Sequence, residues 1–329
     1  MLYPLLFETQ LIPLVWGGFR LKPLKGQEED ETPVGESWEV SAFPGRESIV
    51  ANGAYSGKKI TELISEFGPL LLGKAVYERF GTDFPLLIKF LDTNGKLSVQ
   101  VHPSDEIARE RHNCQGKTEM WYVVDAEPGA FVYAGFNRDI TVEEYRARVE
   151  NGTICEVLAK HPICRGEAFF IPAGRVHSIC GSALIVEVQQ NSNITYRIYD
   201  YNRPGLDGKP RQLHTEEAIS AIDFAVYKEY ALNYPNVMNQ SNLVCENELF
   251  TVRLLRLNRA VRRNLMHQDS FIVYVCIRGA CMIGDSIRLD EGQSCLVPAS
   301  CADISITPLS GVSETELVET FVANYKFEH

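Results

Sequence analysis

Polar and apolar residues alternate without a break through Leu97-Ser98-Val99-Gln100-Val101-His102, which Pro103 ends. Successive side chains of a strand point to opposite sides, so Leu97, Val99 and Val101 form one face and Ser98, Gln100 and His102 the other. A looser alternation predicts strands at 84–91, 117–124, 167–171, 183–189 and 195–201. It returns at 249–257, 271–283, 294–298 and 317–323. Residues 1–60, with Trp16-Gly17-Gly18 and Asn52-Gly53, read as short strands and turns. Asn94-Gly95 predicts a tight hairpin.

Helical spacing is confined to a few places. Ile60, Leu63, Ile64 and Phe67 share one helix face, and a helical excursion to about Arg79 follows. The strongest helix spans 141–150, with Thr141 and Glu144 as a capping box and Gly152 just beyond its end. Shorter helices are expected from Ser104 or Asp105 to about His112, and from Thr215 to about Ile222.

The pattern also repeats. Gly166-Glu167-Ala168-Phe169-Phe170-Ile171-Pro172 and the stretch 287–298 share a layout of glycine, alternating strand and proline. This predicts a mainly β protein built from two copies of one barrel unit, the second without the polar constellation of the first. The expected division is a catalytic unit over 1–234, with strand and helix extensions, and a degenerate barrel over 235–329.

With 329 residues, 45% of them apolar, the chain can bury a substantial core. A net charge of −11 argues against nucleic acid as a partner, because counterion displacement needs a basic surface. No apolar run is long enough to span a bilayer and the opening residues lack a basic leader, so membrane and secretory roles are not expected. Nine cysteines without a Cys-x-x-Cys pair suit reduced thiols and predict a cytoplasmic protein. Gly116-Lys117-Thr118 is not a phosphate-binding loop, since position 111, where the loop needs glycine, is Arg111.

The polar face of 97–103 brings a carboxamide and an imidazole side by side, close enough for one divalent cation to bridge. His177, delivered by the turn Pro172-Ala173-Gly174, supplies a third donor. Glu119 supplies a fourth, whose negative charge offsets the cation that neutral ligands leave uncompensated. Gln100, His102, Glu119 and His177 suit one Zn²⁺ per chain and also accommodate Mn²⁺, Fe²⁺ or Co²⁺. A lone strand histidine is more often hydrogen-bonded structure, and a strand glutamate more often a solvated face. Three separate strands ending in metal-binding groups favour the joint reading. Histidines 112, 161, 214, 267 and 329 lack such company and read as surface or structural. Lys89, Ser98, Lys117 and Arg197 form a local patch suited to an anion. The alternatives are a snorkelling Lys89, and an Arg197 paired with Glu187 or Asp200.

Trp16-Gly17-Gly18, Gly35-Glu36-Ser37-Trp38 and the stretches 97–103, 116–121, 170–177 and 186–201 together resemble the type I mannose-6-phosphate isomerases in their shorter bacterial form. The resemblance covers nearly two thirds of the chain. It implies two cupin-like, jelly-roll barrels and places the family's metal ligands, usually holding zinc, on Gln100, His102, Glu119 and His177. Arg197 matches the family's catalytic arginine, and Ser98, Lys89, Lys117 and Glu187 match positions around the sugar phosphate. The implied reaction interconverts mannose 6-phosphate and fructose 6-phosphate through a cis-enediol. Glu187, Lys117 and a hydroxide on the cation remain open as the base, and the protein is expected to be a monomer or weak homo-oligomer. Two other readings stay in view: an iron-dependent cupin dioxygenase and a non-enzymatic sugar-phosphate sensor. The former usually uses three histidines, and both fit the cationic neighbours of this site less well.

Overall fold

The computed structural model describes residues 2–323 except 29, 266 and 302. Strands dominate, in antiparallel sheets, and the chain forms two compact units. One comprises Leu11–Trp38 and Ile88–Leu232; the other comprises 1–10, 39–87 and everything from residue 233 onward. No helix among the described residues is long and apolar enough to cross a membrane. His329 lies outside the described residues.

The first unit is a ten-stranded antiparallel sheet folded round an apolar core that includes Trp121, Val132, Phe169, Ile171 and Ile179. Its spine is one strand, His177–Gln190, longer at its start than the alternation from 183 predicts. The left-handed backbone of Gly181, at φ +97°, bends it. Before the bend, His177 pairs with Gln100 of Val99–Val101 and Ala134 of Phe131–Phe136. After it, Glu187 and Gln189 pair with Trp121 and Glu119 of Glu119–Ala126. One strand thus contributes to both walls, because only glycine turns the corner without strain.

Two expectations need correction. Asn94-Gly95 makes no hairpin: strand Leu86–Lys96 runs straight through it and breaks only at Leu97-Ser98. Neither residue takes the positive φ that a type I′ turn requires. The capping box at helix Val142–Glu150 is half formed. Thr141 Oγ1 accepts from the Glu144 amide at 3.1 Å. The Glu144 carboxylate turns away to Arg138 and Arg148, because two guanidiniums outbid one backbone amide.

The second unit holds a six-stranded and a four-stranded antiparallel sheet. Their inner faces share one core, with Leu255, Tyr274 and Leu317 from the larger sheet and Cys281, Ile283 and Ile306 from the smaller. Helices Ile60–Phe67, Pro69–Leu72 and Lys74–Phe80 also belong to this unit.

The repeat is visible in hydrogen bonds. Gly166 and Gly292 have φ of +89° and +82°. Gly166 N donates to Val123 O and Val123 N to Glu167 O, while Gly292 N donates to Cys276 O and Cys276 N to Gln293 O. Strand register extends the equivalence. Glu119 faces Ile171 as Ile272 faces Val297, and Trp121 faces Phe169 as Tyr274 faces Cys295. Trp121 also faces Glu187 as Tyr274 faces Glu319.

Candidate metal centre

Ligand atoms of His102, Glu119 and His177 all lie within 4.8 Å of one another, and the three side chains are fully buried. His102 Nε2 is 3.0 Å from Glu119 Oε1, and His177 Nε2 is 3.8 Å from Glu119 Oε2. Each imidazole is oriented through its other nitrogen: His102 Nδ1 donates to Ile194 O at 2.9 Å and His177 Nδ1 to Arg175 O at 2.8 Å. Both Nε2 lone pairs therefore face the shared space, an arrangement that suits metal ligation. His102 Nε2 and Glu119 Oε2 are buried with no hydrogen bond, and the Lys117 ammonium is the partner of Glu119 Oε1. Orphaned acceptors at this depth are costly, and a cation removes the cost. The site residues fit a divalent ion.

Gln100 lies beside them. Its Nε2 is 3.2 Å from His177 Nε2, and its Oε1 accepts from Ser98 Oγ at 3.2 Å. Coordination through oxygen requires the amide to turn over. Strand geometry explains the grouping: Gln100 and His177 are ladder partners, and Gln189 of the same long strand faces Glu119.

The electrostatics hold the histidines neutral. Burial takes His102 down to about 3, with the Lys117 ammonium acting in the same direction and Glu119 opposing. Burial also lowers His177. For Glu119 burial acts upward, but Lys117 and then His102 outweigh it and keep the group well below the usual carboxylate range. Lys117 Nζ sits 2.9 Å from Glu119 Oε1. Burial opposes its charge, yet Glu119 and Glu187 raise it overall. Glu187 is raised by burial and by Glu119. Unprotonated imidazoles and an ionised carboxylate are the forms that bind metal.

Lys89 is 1% exposed and does not snorkel. Its Nζ lies 3.4 Å from both Glu36 Oε2 and Glu187 Oε2, and 5.1 Å from the Trp38 ring centroid. Trp121 Nε1 donates to Glu187 Oε1 at 3.1 Å, and the Trp121 ring meets His177 edge-on at 5.3 Å. Arg197 is opposite Gln100 in the ladder. It pairs with neither Glu187 nor Asp200 among the described residues: Asp200 is held by Arg203 and Arg211. Arg197 Nη1 donates to Gln212 O at 3.0 Å, while its Nε is buried and unpartnered.

Glu36, Trp38 and Trp121 were not singled out from sequence as part of this network. Glu36 and Trp38 alternate on one strand, Val34–Val40, with Trp38 Nε1 donating to Glu36 Oε2 at 2.6 Å. Their period-two spacing was the available signal. Of the remaining histidines, His112 Nε2 meets the Tyr196 hydroxyl at 2.8 Å and His214 Nδ1 accepts from the Arg197 amide at 3.2 Å.

Residues 14–134 match the family model described as phosphomannose isomerase type I, catalytic domain. A mannose-6-phosphate isomerase of Streptococcus mutans is 38% identical over 301 residues, covering 90% of this chain and 92% of the relative. A Bacillus subtilis mannose-6-phosphate isomerase is 39% identical over 221 residues, 67% of this chain and 68% of its own. The crystal structure of the mannose 6-phosphate isomerase from Bacillus subtilis superposes with a TM-score of 0.86 at 29% identity, covering 97% of this chain and 99% of that one.

Proposed function

Because this chain belongs to the type I mannose-6-phosphate isomerase family, we propose that it interconverts mannose 6-phosphate and fructose 6-phosphate by moving a proton between C2 and C1 of the open-chain sugar. The observation that carries this reading is the buried trio of His102, Glu119 and His177, whose bare acceptors face one another beside the ammonium of Lys117.

Gln100, His102, Glu119 and His177 would hold the metal, one zinc ion per chain. A bound divalent cation supplies Lewis-acid stabilisation to the enediolate oxygens as charge develops. The protein's own groups do the rest. Glu187 is the base: its Oε1 is fixed by the Trp121 indole, and burial raises its affinity for a proton. Lys117 stays charged and serves as electrostatic stabiliser rather than base. Arg197, with an unspent Nε, orients the open chain and adds positive charge. Ser98 Oγ, which donates to Gln100 Oε1 as the amide stands, would accept from its Nε2 once the amide turns over. Lys89, enclosed by Glu36 and Glu187, acts on the substrate through Glu187, whose orientation it fixes.

Elemental analysis of the purified protein, paired with isomerisation of mannose 6-phosphate in deuterated water, tests the reading. The expected result is one zinc per chain and product carrying solvent deuterium. Metal-replete protein that forms no fructose 6-phosphate would overturn it. Conversion without deuterium uptake would replace proton transfer with hydride shift.

A further inference from the structure

The second unit keeps a polar interior at the register positions where the first unit does its chemistry. Glu319 occupies the ladder position of Glu187, and Tyr274 that of Trp121. Ile272 stands where Glu119 stands, so no carboxylate is available there for a cation. On strand Val261–Asn264 of the four-stranded sheet, Val261 packs against the core and Arg263 points to Glu319. A permanent guanidinium therefore pairs with the glutamate that stands at the register position of Glu187.

This interior carries more positive than negative charge. Arg263 Nη2 donates to Glu319 Oε1 at 2.7 Å and Oε2 at 2.9 Å, and Ser241 Oγ donates to Oε1 at 3.0 Å. Arg253 is the direct cross-strand partner of Glu319, yet its guanidinium makes no ion pair among the described residues and lies 5.8 Å from the Phe321 ring. Two guanidiniums against one carboxylate leave one positive charge. Arg253 Nε, Arg263 Nε and the Tyr274 hydroxyl are buried without a close hydrogen bond, the hydroxyl lying beside the Glu319 carboxylate. Tyr274 is wholly buried and kept neutral, since burial and the nearby Glu319 raise its pKa. Donors in surplus with a net positive charge match an oxyanion, for which arginine forks and a neutral phenol are apt partners. Both arginines are partly exposed.

We propose that the interior of the second unit is a binding site for a phosphate group, free or carried by a small metabolite, with Arg253, Arg263 and Tyr274 as its donors and Glu319 holding Arg263 in place.

Calorimetric titration of the intact, metal-loaded protein with inorganic phosphate, and separately with glycerol 3-phosphate, tests this. Besides any phosphate taken up at the metal centre, the wild type should bind one phosphate per chain that Arg253→Gln binds about tenfold more weakly, with kcat/KM for isomerisation unchanged. Binding of the ester as well as free phosphate would identify a metabolite site; binding of inorganic phosphate alone would identify a free-phosphate site. Arg263→Gln strands the buried Glu319 carboxylate and is expected to destabilise the fold, so Tyr274→Phe is the second variant. As a purely structural residue it should be neutral or slightly stabilising, because it deletes an unsatisfied hydroxyl. As a phosphate donor it should weaken phosphate binding several-fold and abolish the rise in Tm that phosphate gives the wild type. Equal phosphate stoichiometry and affinity in wild type, Arg253→Gln and Tyr274→Phe would overturn the proposal.

Discussion

Glu119 carries opposing demands. Its carboxylate is fully buried, 2.9 Å from the Lys117 ammonium and 3.0 Å from the bare nitrogen of His102. Glu119→Gln removes the carboxylate in direct contact with Lys117, which would also offset an incoming cation. It is expected to lower metal content and turnover together, read by elemental analysis and initial rate on the same sample. His177→Ala removes a donor without changing charge and should do likewise. Full activity in His177→Ala verified as metal-free would remove the metal from the mechanism. Arg197 makes a different prediction, because its side chain touches neither histidine nor Glu119 within hydrogen-bond reach. Arg197→Ala should cut kcat by 10²–10³, roughly 3–4 kcal/mol of transition-state stabilisation, while metal stays bound. Loss of metal along with activity would instead make Arg197 a structural residue. The candidate donors were legible in sequence because each is a metal-binding residue type within or at the end of a strand, and the structure brings His102, Glu119 and His177 together. The Glu36–Lys89–Glu187 chain was not, since a buried lysine between two carboxylates looks, in one dimension, like any charged residue on an alternating strand.

At the scale of elements, the long strand His177–Gln190 decides the geometry of the site, and one glycine decides the strand. A Cβ on Gly181 would stand 2.8 Å from Ala130 Cα, and φ of +97° is unfavourable for any side chain. Gly181→Ala should cost roughly 1–3 kcal/mol from backbone conformation, with the clash in addition. The strain would fall between the half that carries His177 and the half that carries Glu187. A lower urea midpoint together with weaker metal retention is the expected outcome; a lower midpoint with metal affinity unchanged would mean that the bend does not position the ligands. Alternation located most strands, because period-two burial is a local property of the chain. It failed at Asn94-Gly95, where the strongest local hairpin signal was overridden by the pairing of Leu86–Lys96 with strands distant in sequence. The half-formed box at Thr141 failed for a similar reason: Arg138 and Arg148 compete for Glu144, and no capping rule weighs such neighbours.

For the molecule as a whole, the order of segments matters more than a boundary. The chain passes from one compact unit to the other four times, near residues 10, 38, 87 and 232. The last passage adjoins the boundary expected near 234, but residues 1–10 and 39–87 find their partners in the segment that follows it. Leu5 and Leu6 pair with Leu296 and Cys295. Asp269 accepts the Lys74 and Ala75 amides at 2.7 and 3.0 Å, capping helix Lys74–Phe80 from across the sequence. The Phe84 and Phe271 rings meet at a tilt with centroids 4.8 Å apart, and Phe271 N donates to Leu72 O at 3.0 Å. No periodicity could have shown this, because each contact joins residues about 200 or more apart in sequence. A fragment ending at residue 234 would expose side chains such as Leu5, Leu71, Leu72 and Phe84, all fully buried in the intact chain. At about 1.5–3 kcal/mol each, their loss is comparable with the roughly 5–15 kcal/mol by which a whole domain is stable. Fragment 1–234 should therefore lack a cooperative thermal transition although it contains every proposed metal ligand, and co-expression with 235–329 should restore both the transition and isomerisation. A cooperative melt and full turnover from 1–234 alone would show that the strands and helices of 1–10 and 39–87 are dispensable to the site.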